Sequence, residues 1–454
     1  MSSSSPYTLD PHTVREPPEN FRQTLPYLGP GFLLSASIVG SGELIATTAL
    51  GAKVGFIALW AILLSCVIKV ALQLQFGRHT ILTGQTALDA FNELRGPKWG
   101  RLSWSLWLWL SIQPIKVLQV GGIIGGLAIL LNLVFPGVSI GVWCWLAVLS
   151  VALPVSLNRY AFIERFSLVL LAGFTVMTLA SVVALQWTKY SISASDVLSG
   201  LQGGMPAGAV LVLFGAFGLT GVGGDEVMQY TYWLLEKGYA SYTGEAKPSD
   251  PAWQRRARGW IRVMYADALL SMVAYTIVTT AFYLLGAAVL NRQGLEPQGP
   301  EVISTLATMY TDSLGPWARG LFLFGAFIVL FSTLFSALAA WTRIFGDATG
   351  QLGWTNFHDN ASRRRTIAVL AWFFPITWAL VFLKYDEPVM MVILGGVATS
   401  ALVLLVAFAA ITFRRAEEIA EVRPGKLYDL ALWVSVVSIF AFAVFGLSKA
   451  FGKL

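Results

Sequence analysis

Val39-Gly40-Ser41-Gly42-Glu43-Leu44 lies inside one long apolar segment of this chain, and Val222-Gly223-Gly224-Asp225-Glu226-Val227 lies inside another. Each string sets glycine beside a carboxylate, and Glu43 matches Glu226 in position. An ionised carboxylate at membrane depth costs several kcal/mol unless it is paired, so its first reading is functional. Glycines next to it point to a helix interrupted there. A charged, broken helix that recurs in two halves of a chain marks the central site of a secondary transporter.

The composition supports a membrane setting. Residues are 56% hydrophobic and 12% charged, where a soluble domain sits near 25% charged. The chain reads as one polytopic unit. Cys66 and Cys144 fall in apolar segments and read as packing residues. His12, His79 and His358 lie outside the apolar spans, which argues against a histidine metal site or proton relay in the core. Residues 1–25 are polar and contain proline, without a basic-then-apolar signal pattern, and read as a disordered cytosolic tail. No P-loop, dinucleotide fingerprint, His/Cys metal spacing or potassium-filter string occurs, which argues against an ATP-driven pump and against an enzyme.

A membrane span needs roughly 20 mostly apolar residues. Eleven segments meet this, at about 30–50, 54–77, 104–134, 139–157, 162–187, 206–235, 260–290, 316–345, 366–383, 388–412 and 427–449. With the N-terminus inside, 22 Lys and Arg fall on cytosolic segments and 7 on outer ones, the asymmetry expected of a cytosolic N-terminus and an outer C-terminus in the plasma membrane. This asymmetry accounts for the net charge of +6 without a nucleic-acid partner. The matching strings sit in spans one and six. A five-helix unit ends on the side opposite its start, so the second copy is inverted. The expected fold is an all-α integral membrane protein of eleven transmembrane helices. It has a first five-helix repeat at 26–190, an inverted second at 200–413, and an eleventh helix at 426–450.

Span one offers Gly40, Ser41 and Glu43 as site residues; span six offers Thr220, Gly223, Asp225 and Glu226. Freed carbonyls, hydroxyls and carboxylates form an oxygen-only ligand set, which suits hard cations such as Mg²⁺, Ca²⁺ and Mn²⁺. The alternative is close helix packing at the glycines, with the acids paired to basic side chains. Two buried lysines supply such partners. Lys69 sits roughly 12 Å from the inner end of span two, and Lys116 follows Pro114 in span three. Either is a counter-ion or a coupling group. Asp267 is expected to contact neighbouring helices at the inner mouth, Glu164 and Arg165 to form a gate or interfacial pair, and Arg363-Arg364-Arg365 to meet lipid head groups.

Several stretches resemble a known family. Leu28-Gly29-Pro30-Gly31-Phe32-Leu33, Gly51-Ala52-Lys53-Val54-Gly55-Phe56, Leu59-Trp60, Thr83-Gly84-Gln85 and Leu131-Asn132-Leu133-Val134-Phe135 resemble the Nramp (natural resistance-associated macrophage protein) divalent-metal transporters. The resemblance implies eleven spans with an inside N-terminus. It does not carry the family's chemistry across. The usual first-helix Asp-Pro-Gly-Asn reads Gly40-Ser41-Gly42-Glu43 here, and the sixth-helix Met-Pro-His reads Leu219-Thr220-Gly221. The acidic third-helix positions tied to proton movement align with Val120 and Ile123. The metal site and proton route are therefore rebuilt or abandoned. Gly40-Ser41-Gly42 is also similar to the broken first helix of amino acid/polyamine/organocation (APC) transporters, which share the leucine-transporter-like 5+5 inverted repeat.

The leading expectation is a monomeric, Nramp-related secondary transporter importing Mg²⁺ or Mn²⁺ between broken helices one and six. The cation is substrate, with no cofactor, and membrane lipid is the surrounding partner. The alternative is an organic-cation or amino-acid carrier on the same scaffold. A non-transporting sensor is a third class, disfavoured because the 237–259 loop is too short for an independent domain.

Overall fold

The structure is a computed structural model that describes residues 5–38, 40, 42–157, 161–205, 208–416 and 422–450. The main helices are α1 (Pro30–Ile38), α2 (Thr48–Val54), α3 (Leu59–Thr83), α4 (Trp104–Val134), α5 (Ile140–Ser156), α6 (Ala161–Ala184) and α7 (Val210–Leu219). They continue with α8 (Gly224–Lys237), α9 (Pro251–Leu285), α10 (Val302–Leu314), α11 (Ala318–Gln351), α12 (Asn360–Tyr385), α13 (Pro388–Ala416) and α14 (Lys426–Ala450). Among the described residues, eight helical stretches are long and apolar enough to cross a membrane, and α7 with α8 counts as one of them. Ile140–Ser156 and Ala172–Trp187 are shorter apolar helices.

Both expected breaks are present. α1 stops at Ile38, and the chain resumes as a π-helical turn over Gly42–Thr47 before α2. π turns widen the backbone spacing and recur at functional sites. α7 stops at Leu219; Thr220 is extended and Gly221 has φ +64, a left-handed conformation that favours glycine. A Cβ on Gly221 would also stand 2.8 Å from Cys66 Cα. The second half-helix then starts at Gly224.

Small residues let the helices approach closely, as expected where packing rather than water drives association. A Cβ on Gly122 of α4 would lie 2.6 Å from Pro388 O at the start of α13. One on Gly51 of α2 would lie 2.5 Å from Tyr283 O of α9. A Cβ on Gly218 of α7 would run into Gly396 O, so α13 packs tightly against both α4 and α7.

The N-terminal tail differs from its expectation. Tyr7 is 6% exposed. Its hydroxyl donates to Glu236 at 2.7 Å, and Glu236 is ion-paired to Arg343 at 2.6 Å. Arg363 lies over the Tyr7 ring and donates to Ser5 Oγ at 2.9 Å. Farther along, Arg15 N donates to Tyr242 O at 3.0 Å, and Trp260 Nε1 donates to Arg15 O at 3.0 Å. Composition describes the tail as polar, but one aromatic anchor and a set of charged partners on distant helices order residues 5–29. Arg363 is correspondingly turned inward, while Arg364 and Arg365 are exposed. Ser41 and the side chains of Glu164 and Arg165 lie outside the described residues.

Candidate functional site

A cavity with about 40 Å³ of water-accessible space lies between α1, α4, α8 and α11, beside both breaks. Its polar lining comes from Lys116, Gln119, Asp225, Glu226, Gln229 and Thr333, with Gly42 and Leu219 at the breaks. A buried water needs roughly 10–15 Å³ of such space, so there is room for a few water molecules.

The lining follows from helix geometry. α4 presents Gln113, Lys116 and Gln119 at three-residue spacing, which puts them on one face. α8 presents Asp225, Glu226 and Gln229 within its first turns, where the exposed N–H groups and the helix dipole favour negative charge. Lys116 Nζ lies 3.2 Å from Asp225 Oδ2 and donates to Thr399 Oγ1. Asp225 Oδ1 accepts from Trp109 Nε1 at 3.3 Å and Gln113 Nε2 at 3.5 Å. Glu226 lacks such support: its Oε2 is buried without a hydrogen-bond partner. Gln119 Oε1 also lacks a hydrogen-bond partner in this cavity wall, whereas Asp225 Oδ2 has the Lys116 ammonium as its ion partner.

The other expected residues stand apart from this lining. Glu43 is fully buried, with Oε2 accepting from Gly40 N at 3.3 Å and Oε1 from Thr279 Oγ1 of α9 at 3.3 Å. It closes its own turn and braces α9. Thr220 is buried, and its hydroxyl donates to Ser65 Oγ at 2.9 Å. Gly223 gives α8 room to start, since a Cβ there would lie 2.7 Å from Thr399 Cγ2. Lys116 is the counter-ion of Asp225. Lys69 instead bonds backbone carbonyls, donating to Phe217 O at 2.8 Å, Gly218 O at 3.2 Å and Thr220 O at 2.5 Å.

Among the described residues, no three His, Cys, Asp or Glu side chains cluster to hold a metal ion. Sequence reasoning missed Gln113, Gln119, Gln229 and Thr399. The i, i+3 run of polar residues from Gln113 through an otherwise apolar α4 is the signal that carried three of the lining or supporting groups.

At one end of the bundle an acid of one helix caps the start of another. Asp267 of α9 accepts from Gly29 N at 2.8 Å, Gly31 N at 2.5 Å and Tyr230 Oη at 3.2 Å. The first two are otherwise unsatisfied N–H groups at the start of α1. The Tyr7–Glu236–Arg343 group lies at the same end. Burial, with the Glu236 carboxylate beside it, holds the Tyr7 phenol well above its usual pKa.

Residues 31–449 match the family described as Nramp, natural resistance-associated macrophage protein-like. The chain is 24% identical over 425 residues to a divalent metal cation transporter, MntH, of Bacillus subtilis, covering 92% of this chain and 89% of that protein. It is 30% identical over 223 residues to the metal transporter Nramp6.2 of Populus trichocarpa, covering 48% of this chain and 38% of that protein. In fold it is similar to a manganese transporter of Eremococcus coleocola, with a TM-score of 0.63 at 16% identity, covering 99% of this chain and 90% of that one.

Proposed function

The chain belongs to the Nramp family, and from that premise we propose that it is a multi-pass secondary transporter carrying a hard divalent cation, Mg²⁺ or Mn²⁺, into the cytosol. One observation carries this reading. Gln119 Oε1 and Glu226 Oε2 are buried acceptors without hydrogen-bond partners around one small cavity, and Asp225 Oδ2 beside them is held by the Lys116 ammonium at 3.2 Å. Each unsatisfied acceptor costs roughly 1–3 kcal/mol, and two around a common space are relieved together by a cation. The lining offers oxygen ligands without thioether or imidazole, which suits a hard ion. Mg²⁺ keeps several waters when bound, and the cavity has room for a few. Sparse charge also fits cargo, which must leave as well as enter. The metal-transporter relatives support the same class.

In this proposal Glu226 and Gln119 touch the ion, and Lys116 holds Asp225 beside them. Glu43, Thr220 and Gly223 support the broken backbones, and Gly40 completes the turn of the first. Eleven crossings arranged as a 5+5 inverted repeat plus one helix, a cytosolic N-terminus and a plasma-membrane location complete the reading, with the monomer as the working unit. The Asp267 end is then the closed inner mouth.

The test is isothermal binding of Mg²⁺, Mn²⁺ and Ca²⁺ to purified protein, with Glu226→Gln in parallel. Binding that is lost in the variant is the expected result. Silence from all three ions, with uptake inhibited by unlabelled amines, would replace the metal with an organic cation.

A further inference from the structure

α7 ends at Leu219 inside the bundle, so its last carbonyls have no intrahelical partner and carry the negative end of the helix dipole. Lys69 answers them. It is fully buried on α3, and its ammonium donates to three carbonyls, those of Phe217, Gly218 and Thr220, at 2.5–3.2 Å. An ammonium has three N–H donors, so its bonding capacity is met by this one helix end.

The seat is built from two sides. Ser65, one turn before Lys69, has its one hydroxyl proton within reach of both Phe217 O at 2.8 Å and Thr220 O at 3.0 Å, and accepts from the Thr220 hydroxyl. The Phe217 ring faces the ammonium at 5.2 Å. In broken-helix transporters, C-terminal ends of half-helices and unwound carbonyls are where a coupling cation is coordinated. Here that position is filled covalently, by a side chain.

We propose that the Lys69 ammonium is a tethered cation occupying a monovalent-cation seat at the C-terminal end of α7, so that the broken helix stays assembled without Na⁺ or K⁺. Lys69 is a positioning residue: it holds the end of α7 in place beside the cavity and reserves those carbonyls from the cargo. The inference concerns the seat alone and holds whichever ion is carried.

The test needs no cargo. Thermal unfolding of the purified full chain is followed without divalent ions at constant ionic strength, in choline chloride and with Na⁺, K⁺, ammonium or methylammonium replacing choline. Wild-type protein should melt at one temperature in every salt. Lys69→Ala should melt lower by about 5 °C in choline and regain at least half of that loss in ammonium or methylammonium, which mimic the missing head group. A Lys69→Ala melting point that ignores the cation would overturn the proposal. So would a wild-type melting point that rises with Na⁺ or K⁺, an outcome that requires no variant. If Lys69→Ala unfolds during purification, folded protein recovered only from ammonium-containing buffer supports the seat. Equal failure in ammonium and choline counts against it.

Discussion

Lys116 Nζ and Asp225 Oδ2 stand 3.2 Å apart inside the bundle, with side chains only 3% and 4% exposed. Burying two charges is costly, and the pair is retained because each member has further partners: Thr399 for the lysine, Trp109 and Gln113 for the aspartate. Glu226 beside them lines the cavity, with its Oε2 buried and without a hydrogen-bond partner. The site therefore attracts a cation through one carboxylate while a second is held in reserve by a lysine.

Removing one member of that pair should be worse than removing both. Lys116→Met strands a buried carboxylate and is expected to cost about 3–5 kcal/mol of stability. Lys116→Met combined with Asp225→Leu should recover most of it. Denaturant unfolding of the single and double variants checks this; a single variant as stable as wild type would remove the ion pair from the account of the fold.

Glu226→Gln should separate binding from folding. Glu226 Oε2 has no hydrogen-bond partner to lose, so the melting point should stay within about 2 °C of wild type. Divalent-ion affinity should fall by at least about tenfold, the loss of a direct charge worth ~1.4 kcal/mol or more. Calorimetric binding and thermal unfolding on the same preparation decide it, and unchanged affinity would remove Glu226 from the site.

Asp267→Asn should loosen the closed end. The carboxylate takes two backbone N–H groups from the start of α1, and hydrogen bonds to a charged group contribute roughly 1.5–3 kcal/mol each. Losing the charge should shift the gate toward opening by about tenfold. The readout is the thiol-labelling rate of a Gln229→Cys reporter from the Asp267 side. An unaltered rate would show that Asp267 does not hold this end shut.

The N-terminal anchor should weaken at high pH. The Tyr7 phenol is held well above its usual pKa near 10 by burial and then by Glu236. A group whose pKa is raised on folding contributes stability that is complete below its unfolded value and is lost as pH rises through the folded one. Hydrogen exchange of residues 5–16 should therefore accelerate as pH climbs above about 10, beyond the intrinsic rate increase. Tyr7→Phe, which has no phenolic proton, should remove that excess. An equal excess in both proteins would assign the effect to another group.

Much of the architecture was legible in one dimension because lipid imposes a one-dimensional rule. A segment expected at 104–134 is α4, Trp104–Val134, since roughly 20 apolar residues must be consecutive to cross a bilayer. The glycine-carboxylate strings likewise located both helix breaks, because glycine relaxes the backbone locally. The site was legible only in part. Glu43 and Glu226 look equivalent in sequence, yet Glu43 turns to Thr279 on α9 while Glu226 faces the cavity. Lys69 and Lys116 look like equivalent counter-ions, yet one bonds carbonyls of α7 and the other a carboxylate of α8.

The sequence by itself determined that this chain is a membrane protein with two charged, broken helices, because hydropathy and backbone freedom are properties of consecutive residues. Only the tertiary structure decided which acid is free, which lysine is spent on a helix end, and that Tyr7 orders the N-terminal segment. Those outcomes depend on how each helix is rotated about its axis and which neighbour it meets. They are contacts between residues as far apart as Tyr7 and Glu236, and no local pattern encodes them.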